Sequence, residues 1–345
     1  TDIITDLCLD WLEQRDPDRP FMLLCHHKAP HRPWIPSDAH ATLYEDVSIP
    51  LPETFNDDYA NRAQAAVEAR MRIESDFNYI DLKLEPPAGT SGWDSIVAPA
   101  DLEGFCLNPL DSDTAVSFRS HQELKEWMYQ RYIKDYLRCI ASIDDNVGRM
   151  LDFLDEQGLA EDTIVIYTSD QGFFLGDHGW YDKRFMYEES LRMPFVVRYP
   201  REIEAGSRGT PMVLNVDFAE TFLEYAGLSI PADMQGSSLR SIFRGEEPEG
   251  WRTSMYYRYW MHLAHHYVAA HYGMRTQRYK LIYYYGEALG TAGSIDEPKT
   301  PEWELFDLHK DPLEMNSVYD DKDYAGIVEE LKRELFCLKE EALDF

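Results

Sequence analysis

The feature that most restricts the fold is the run TIVIYTSDQGFFLGDHGWYDKRFMYEESLRMPFVVR, residues 163–198. Ile164, Val165, Ile166 and Tyr167 form a short apolar stretch that stops at Thr168, Ser169, Asp170 and Gly172. A short apolar run bounded by turn-forming residues predicts a buried parallel strand releasing into a loop. In open α/β sheets the ligand crevice lies at the carboxyl ends of the strands. Asp170 and Gln171 therefore stand where two side-chain oxygens can meet a hard cation such as calcium or magnesium. The plainer alternative is that they only close a βα turn. Residues 193–199 read as the next apolar strand.

The flanking chain alternates helix and strand. Apolar spacing predicts a helix over 3–12, then Asp16, Pro17 and Asp18 mark a turn before a strand at 21–25. That strand runs into CHHKAPHRPW, where Pro30 and Pro33 stop helix or sheet from continuing. Three imidazoles, His26, His27 and His31, thus gather at one strand terminus with Lys28 and Arg32. Residues 38–120 carry little periodicity beyond a helical stretch at 65–73 and read as a solvated connection or a substrate-facing insertion. From 122 to 156 apolar residues recur at helical spacing, with room for one break, and Gly158 is the natural C-cap. Asp144 and Asp145 form a tempting carboxylate pair, yet beside Ile143 and Val147 their spacing puts them on the solvated face. Residues 213–228 give an extended piece and then a helix ending at Gly227. Composition shifts at EEPEG, 246–250, and three Tyr-rich runs, 254–260, 266–276 and 279–285, predict an antiparallel sheet closed by a helix at 327–341. The expected fold is a doubly wound, mostly parallel α/β domain over 1–250 with a smaller α+β subdomain over 251–345.

A chain of 345 residues, 44% hydrophobic, can bury a substantial core. Its 63 acidic against 33 basic residues leave a net charge of -30, which argues against general nucleic-acid binding. An anionic substrate would need a local cluster of Lys, Arg and His, or salt enough to screen the repulsion, and high-salt adaptation is one reading of the acidity. The cysteines, Cys8, Cys25, Cys106, Cys139 and Cys337, show no CxxC spacing and suggest neither a zinc site nor a disulfide framework. No apolar run approaches a membrane span, and TDIITDLCLDWLEQR is an amphipathic helical pattern rather than a signal peptide.

The run SDQGFFLGDHGWYDKRFMYEESLRMPFVVR resembles the metal-loop signature of the type I sulfatases, in the alkaline phosphatase superfamily. KAPHRP is similar to the segment after a core strand in these enzymes, SIDDNVGRMLDFL to a helix packed on their sheet, and ELFDLHKDPLEMNSV to their C-terminal signature. The resemblance implies a sulfuric ester hydrolase acting on sulfated carbohydrate such as N-acetylglucosamine 6-sulfate. It assigns Asp170 and Gln171 to a divalent cation, calcium before magnesium. Lys183, thirteen residues after Asp170, falls on the sulfate-contacting position, and His31 on the active-site imidazole. Lys28, His178, His271 and Arg275 become candidate substrate contacts, although His271 is as well read as packing across strands. His31, Asp170, Gln171 and Lys183 are expected to converge on one sulfate.

The family's formylglycine motif, Cys-x-Pro/Ala-x-Arg, surrounds none of the five cysteines, and the early Asp pair that completes the cation site is absent. The resemblance therefore covers the C-terminal two thirds of a sulfatase. It implies a partner segment of the same protein that carries the nucleophile, and an inactive chain without it. By the same resemblance the location is periplasmic, secreted or lysosome-like. Two alternatives stay open: a phosphate or phosphonate ester hydrolase of the same superfamily, and a non-catalytic module that binds sulfated glycan.

Overall fold

A computed structural model describes residues 1–345. The helices in chain order are α1 (Asp2–Gln14), α2 (Gln64–Glu68), α3 (His121–Glu156), α4 (Glu188–Leu191), α5 (Asp217–Tyr225), α6 (Arg240–Phe243) and α7 (Ala325–Glu341). The strands are β1 (Cys106–Leu107), β2 (Val116–Ser117), β3 (Val165–Thr168), β4 (Phe174–Leu175), β5 (Tyr181–Asp182), β6 (Phe195–Arg198), β7 (Ser254–Tyr259), β8 (His271–Thr276), β9 (Tyr279–Tyr284) and β10 (Glu302–Asp307). They fall into two compact units. The first comprises Thr1–Phe55, Met71–Thr163 and Gly179–Tyr181, and the second Asn56–Arg70, Ile164–His178 and Asp182–Phe345. No helix is long and apolar enough to cross a membrane.

In the first unit α3 runs unbroken. Ser120 caps it, its hydroxyl accepting from the Glu123 N–H at 3.2 Å, and Gly158 ends it at φ 66°, a left-handed conformation that costs glycine little. Asp144 and Asp145 are exposed, as their spacing requires. On the opposite face Tyr132 packs 4.6 Å from Trp34, and Phe77 stacks 4.1 Å from Tyr181, all four rings being buried. Two expectations need correction. The residues after 70 form core rather than solvated connection: Met71, Ile73, Phe77 and Leu82 are fully buried. Their backbone groups pair through turns, such as Asp76 N–H to Arg72 C=O at 2.9 Å, and through isolated longer-range bonds, such as Ile96 N–H to Phe77 C=O at 2.8 Å, which leave no hydrophobic period to read. The strand expected at 21–25 is extended but belongs to no ladder, with Met22 and Leu24 59% and 60% exposed. An apolar β-branched or aliphatic run specifies extension, whereas a ladder also needs a neighbour.

In the second unit β3 pairs with β6 from Val165 opposite Arg198 to Thr168 opposite Phe195. The pair is antiparallel and half-buried, not parallel and buried as the apolar run suggested, because burial does not encode the direction of the neighbouring strand. The Tyr-rich segments form an antiparallel sheet in the order β10-β9-β8-β7, with β10 as an unanticipated fourth strand. A two-residue turn joins β8 to β9, its backbone held by Thr276, whose hydroxyl accepts from the Tyr279 N–H at 2.8 Å. Helix α7 lays Val328, Leu331 and Leu335 against Met274, Leu281 and Leu305 of the sheet. Helix α5 ends before Gly227, at φ 71°, where the sequence places its stop.

Lys280 of β9 is fully buried between Glu188 of α4, at 2.9 Å, and Glu314, at 2.6 Å. Arg275 adds a two-pronged pair to the same Glu188 at 2.9 and 3.0 Å. Removing one member of a buried pair strands the other's charge. Lys280→Ala is expected to lower unfolding free energy by about 3–5 kcal/mol, read from the denaturant midpoint, with Lys280→Met/Glu314→Gln recovering much of it. A loss below about 1 kcal/mol would place these charges in water instead.

Candidate active site

The two units are taken separately. In the first, the extended segment ends in a tight turn, with the His31 N–H donating to the Lys28 carbonyl at 3.0 Å. Arg32 anchors it from inside, its Nε 2.9 Å from Oδ1 of the buried Asp81 and its Nη2 on the second oxygen. Lys28 and His31 are left exposed, with His31 Nδ1 2.8 Å from the Arg32 carbonyl. The imidazoles thus divide: His27 turns inward, its Nε2 3.0 Å from the Thr5 hydroxyl.

In the second unit Asp170 is exposed, with Oδ1 3.3 Å from the Ser169 hydroxyl, and Gln171 is half-buried. Gly172 permits the turn. A Cβ there would lie 2.0 Å from the Glu189 carbonyl oxygen, and its N–H donates to the Ser190 carbonyl at 2.9 Å. Lys183 comes back beside this turn, its Nζ 5.7 Å from the centre of the Phe173 ring. Asp170, Gln171 and Lys183 all belong to the second unit.

The backbone around Lys183 is unusual. Asp182 and Arg184 flank it at φ 74° and 114°, where side chains are strained. Asp182 receives Arg184 Nη1 at 2.6 Å and His266 Nε2 at 2.8 Å, and the Arg184 carbonyl accepts from Tyr257 O–H at 3.0 Å. Burial alone would raise the Asp182 pKa, but His266 and Arg184 hold it well below the usual carboxylate range. Sequence reading nominated none of Asp182, Arg184 and His266. The first two touch Lys183 in sequence, but His266 lies 84 residues from Asp182 and carries no local signal.

The remaining candidates have internal partners. His178 is fully buried at φ 55°, with Nδ1 2.8 Å from Asp57 Oδ2 and its carbonyl accepting from Tyr59 O–H at 2.7 Å. Arg62 Nη2 reaches the same Asp57 oxygen at 3.0 Å. Burial opposes the Asp57 charge, yet His178 and Arg62 lower its pKa overall. His271 is fully buried, its Nδ1 2.8 Å from the Ala269 carbonyl, within 6 Å of the Phe185, Tyr257, Tyr259 and Tyr284 ring centres. Arg275 is committed to Glu188. His178 and His271 are thus fully buried in their unit, while Arg275 is half-buried and paired with Glu188.

Asp170 and Gln171 offer oxygens of the right chemistry for calcium or magnesium. They are too few for a cation that takes six or more ligands. No group of three or more His, Cys, Asp or Glu side chains is arranged to hold a metal ion.

The sequence matches the family model described as Sulfatase over residues 1–228, and that described as N-sulphoglucosamine sulphohydrolase, C-terminal, over residues 176–341. The chain belongs to the sulfatase family. It is 41% identical to an N-acetylglucosamine-6-O-sulfatase of Bacteroides thetaiotaomicron, over 96% of this chain and 60% of that protein. An arylsulfatase of Clostridium perfringens is 25% identical over 96% of this chain and 56% of its own length. The chain thus spans about 60% of the length of these relatives. The solved structure of BT4656 in complex with its substrate D-glucosamine-2-N,6-O-disulfate superposes with a TM-score of 0.84 at 37% identity, covering 99% of this chain and 70% of that one. A phosphonate monoester hydrolase from Silicibacter pomeroyi, at TM-score 0.66 and 20% identity, shares the fold. The expected α/β architecture of the alkaline phosphatase superfamily is the one found.

Burial pushes the His271 imidazole down to about 4. In the unfolded chain it titrates near ~6.5. Above that value both states are neutral and His271 adds no pH dependence. Between about 6.5 and 4 the unfolded state binds the extra proton, so stability is lost as pH falls through that window. The expected loss is about 3 kcal/mol by pH 4, and His271→Phe should flatten it in denaturant midpoints measured across this range. An unchanged profile in the variant would move the titration elsewhere.

Proposed function

We propose that this chain is part of a sulfuric ester hydrolase whose substrates are sulfated carbohydrates, with 6-O-sulfated N-acetylglucosamine as the substrate class. The observation that carries the reading is the 41% identity to an N-acetylglucosamine-6-O-sulfatase across 96% of the chain. The position of Lys183 by Phe173, in the same unit as Asp170 and Gln171, supports it. Lys183, a compact point charge on a half-buried stem, would bind sulfate oxygens and stabilise the charge that grows on them as the S–O bond breaks. Exposed His31 would give a proton to the departing sugar hydroxyl. Lys28, exposed on the same turn, would add positive potential, offsetting the chain's acidity locally. Asp182, Arg184 and His266 would hold Lys183 in place, and Asp57 with Tyr59 would fix the loop through His178.

The family's divalent cation, here calcium by preference, would receive Asp170 and Gln171 as two of its ligands. Its remaining ligands and the formylglycine nucleophile would come from residues outside this chain. Residues 251–345 form a subdomain in this reading, and the family resemblance favours a secreted, periplasmic or lysosome-like enzyme.

The test is made in the protein that carries this chain, with N-acetylglucosamine 6-sulfate as substrate. Lys183→Ala and Asp170→Ala are expected to lower kcat/KM by at least about 100-fold while circular dichroism stays unchanged. Asp144→Ala, on the solvated face of α3, is expected to stay within about threefold. Equal losses in Asp170→Ala and Asp144→Ala, or faster turnover of a phosphonate monoester than of any sugar sulfate, would overturn the assignment.

A further inference from the structure

The carboxylate pair on α3 takes no part in the proposed sulfate chemistry, yet Asp145 is engaged. Its Oδ2 lies 3.1 Å from His40 Nε2. On the other side of the same ring, His40 Nδ1 lies 2.8 Å from the Ser37 hydroxyl. All three residues belong to the first unit. Ser37 enters a single 3-10 turn, Asp38–His40, closed by the His40 N–H on the Ser37 carbonyl at 3.0 Å. Helix α3 also holds the chain that follows the turn: Arg138 Nε donates to the Leu43 carbonyl at 2.7 Å, and Lys134 Nζ to the Glu45 carbonyl at 3.1 Å. The His40 side chain is 15% exposed, and Ser37 is half-buried.

An imidazole with a carboxylate on one nitrogen and a hydroxyl on the other has its tautomer chosen for it. Asp145 accepts from Nε2–H, which leaves the Nδ1 lone pair to accept from the Ser37 O–H. A hydroxyl, a base within hydrogen-bond reach and a third group that orients the base together make an activated nucleophile. We propose that Ser37, His40 and Asp145 form a second hydrolytic site, which cleaves uncharged carboxylic esters by acyl transfer to Ser37. Nothing in it depends on the sulfatase reading. Ser37 Oγ attacks the carbonyl carbon as its proton passes to His40 Nδ1. The C–O bond to the alcohol then breaks, the alcohol oxygen takes that proton, and the acyl group stays on Ser37. Water attacks the acyl carbon and gives a proton to Nδ1, and Ser37 recovers that proton as the acid leaves. The balance is one ester and one water in, one alcohol and one carboxylic acid out. The N–H of Asp38, the residue after the nucleophile, precedes the first hydrogen bond of the turn and is the donor offered to the oxyanion. Asp145 is a positioning residue: an exposed ion pair adds little stability, but it fixes which nitrogen is the base. Substrate charge is restricted by the neighbours. Asp38 and Asp144 are exposed beside Ser37 and Asp145 in the chain, so an ester carrying carboxylate or sulfate is repelled and a neutral one is not.

The probes are a fluorophosphonate and p-nitrophenyl acetate, used on the protein that carries this chain. The fluorophosphonate is expected on Ser37, located by peptide mapping. Ser37→Ala is expected to remove that label and to lower kcat/KM for p-nitrophenyl acetate at least about 100-fold, with circular dichroism unchanged. Asp145→Asn is expected to lower kcat at least about tenfold at constant KM, and Asp145→Glu to restore part of it, a response that a merely structural carboxylate would not give. Ser37 left unmodified by the fluorophosphonate, or acetate hydrolysis within about threefold in Ser37→Ala, would overturn the site. An unchanged kcat in Asp145→Asn would overturn the part given to the carboxylate.

Discussion

An ammonium group withdrawn completely from water must be neutralised where it lies, and Lys280 imposes that demand on the second unit. Its two carboxylates come from different places. Glu188 begins α4, five residues after Lys183, and Glu314 lies in the turn after β10. Desolvation opposes the charge on Glu188, yet Lys280 and Arg275 pull its pKa down to about 2. Glu314 is shifted upward, because its burial outweighs what Lys280 returns. Such a cluster adds little net stability over an apolar core, but it tolerates only one alignment of its members. The loop bearing Lys183 is thereby fixed at its far end to a four-stranded sheet.

A second clamp acts on the same loop from the other side. Asp57 lies 121 residues from His178, yet it holds that imidazole while Arg62 holds Asp57 and Tyr59 takes the His178 carbonyl. The residues that carry the proposed chemistry, Asp170, Gln171 and Lys183, contribute almost nothing to this scaffold. Their neighbours Gly172, His178 and Glu188 do the holding. This division is what a preorganised site requires: exposed or half-buried groups able to meet a ligand, on a backbone whose position is over-determined.

What was legible in the sequence follows the physics of each element. Helix α3 was readable because a 3.6-residue period repeated over 36 residues leaves a strong signal, and a Gly stop bounds it. The Tyr-rich strands were readable from residue type, while β10 was hidden inside a segment recognised only as a family signature. The direction of β3 against β6 was not readable, because four apolar residues say nothing about their neighbour. Asp170 and Lys183 were nominated through their shared pattern. His266 was not, since its role depends on a carboxylate brought to it by the fold.

The two left-handed residues beside Lys183 also have an evolutionary consequence. Each of Asp182 and Arg184 carries a conformational penalty of about 1–2 kcal/mol that glycine would escape. Drift under selection for thermal robustness alone should push both positions toward glycine, and the ion pair between them would vanish in the process. The Asp182–Arg184 pair holds the Lys183 backbone, and glycine at either position would give up that hold for a relaxed backbone. Among natural sequences or laboratory libraries, glycine at 182 or 184 should identify chains that have kept the architecture and released the chemistry.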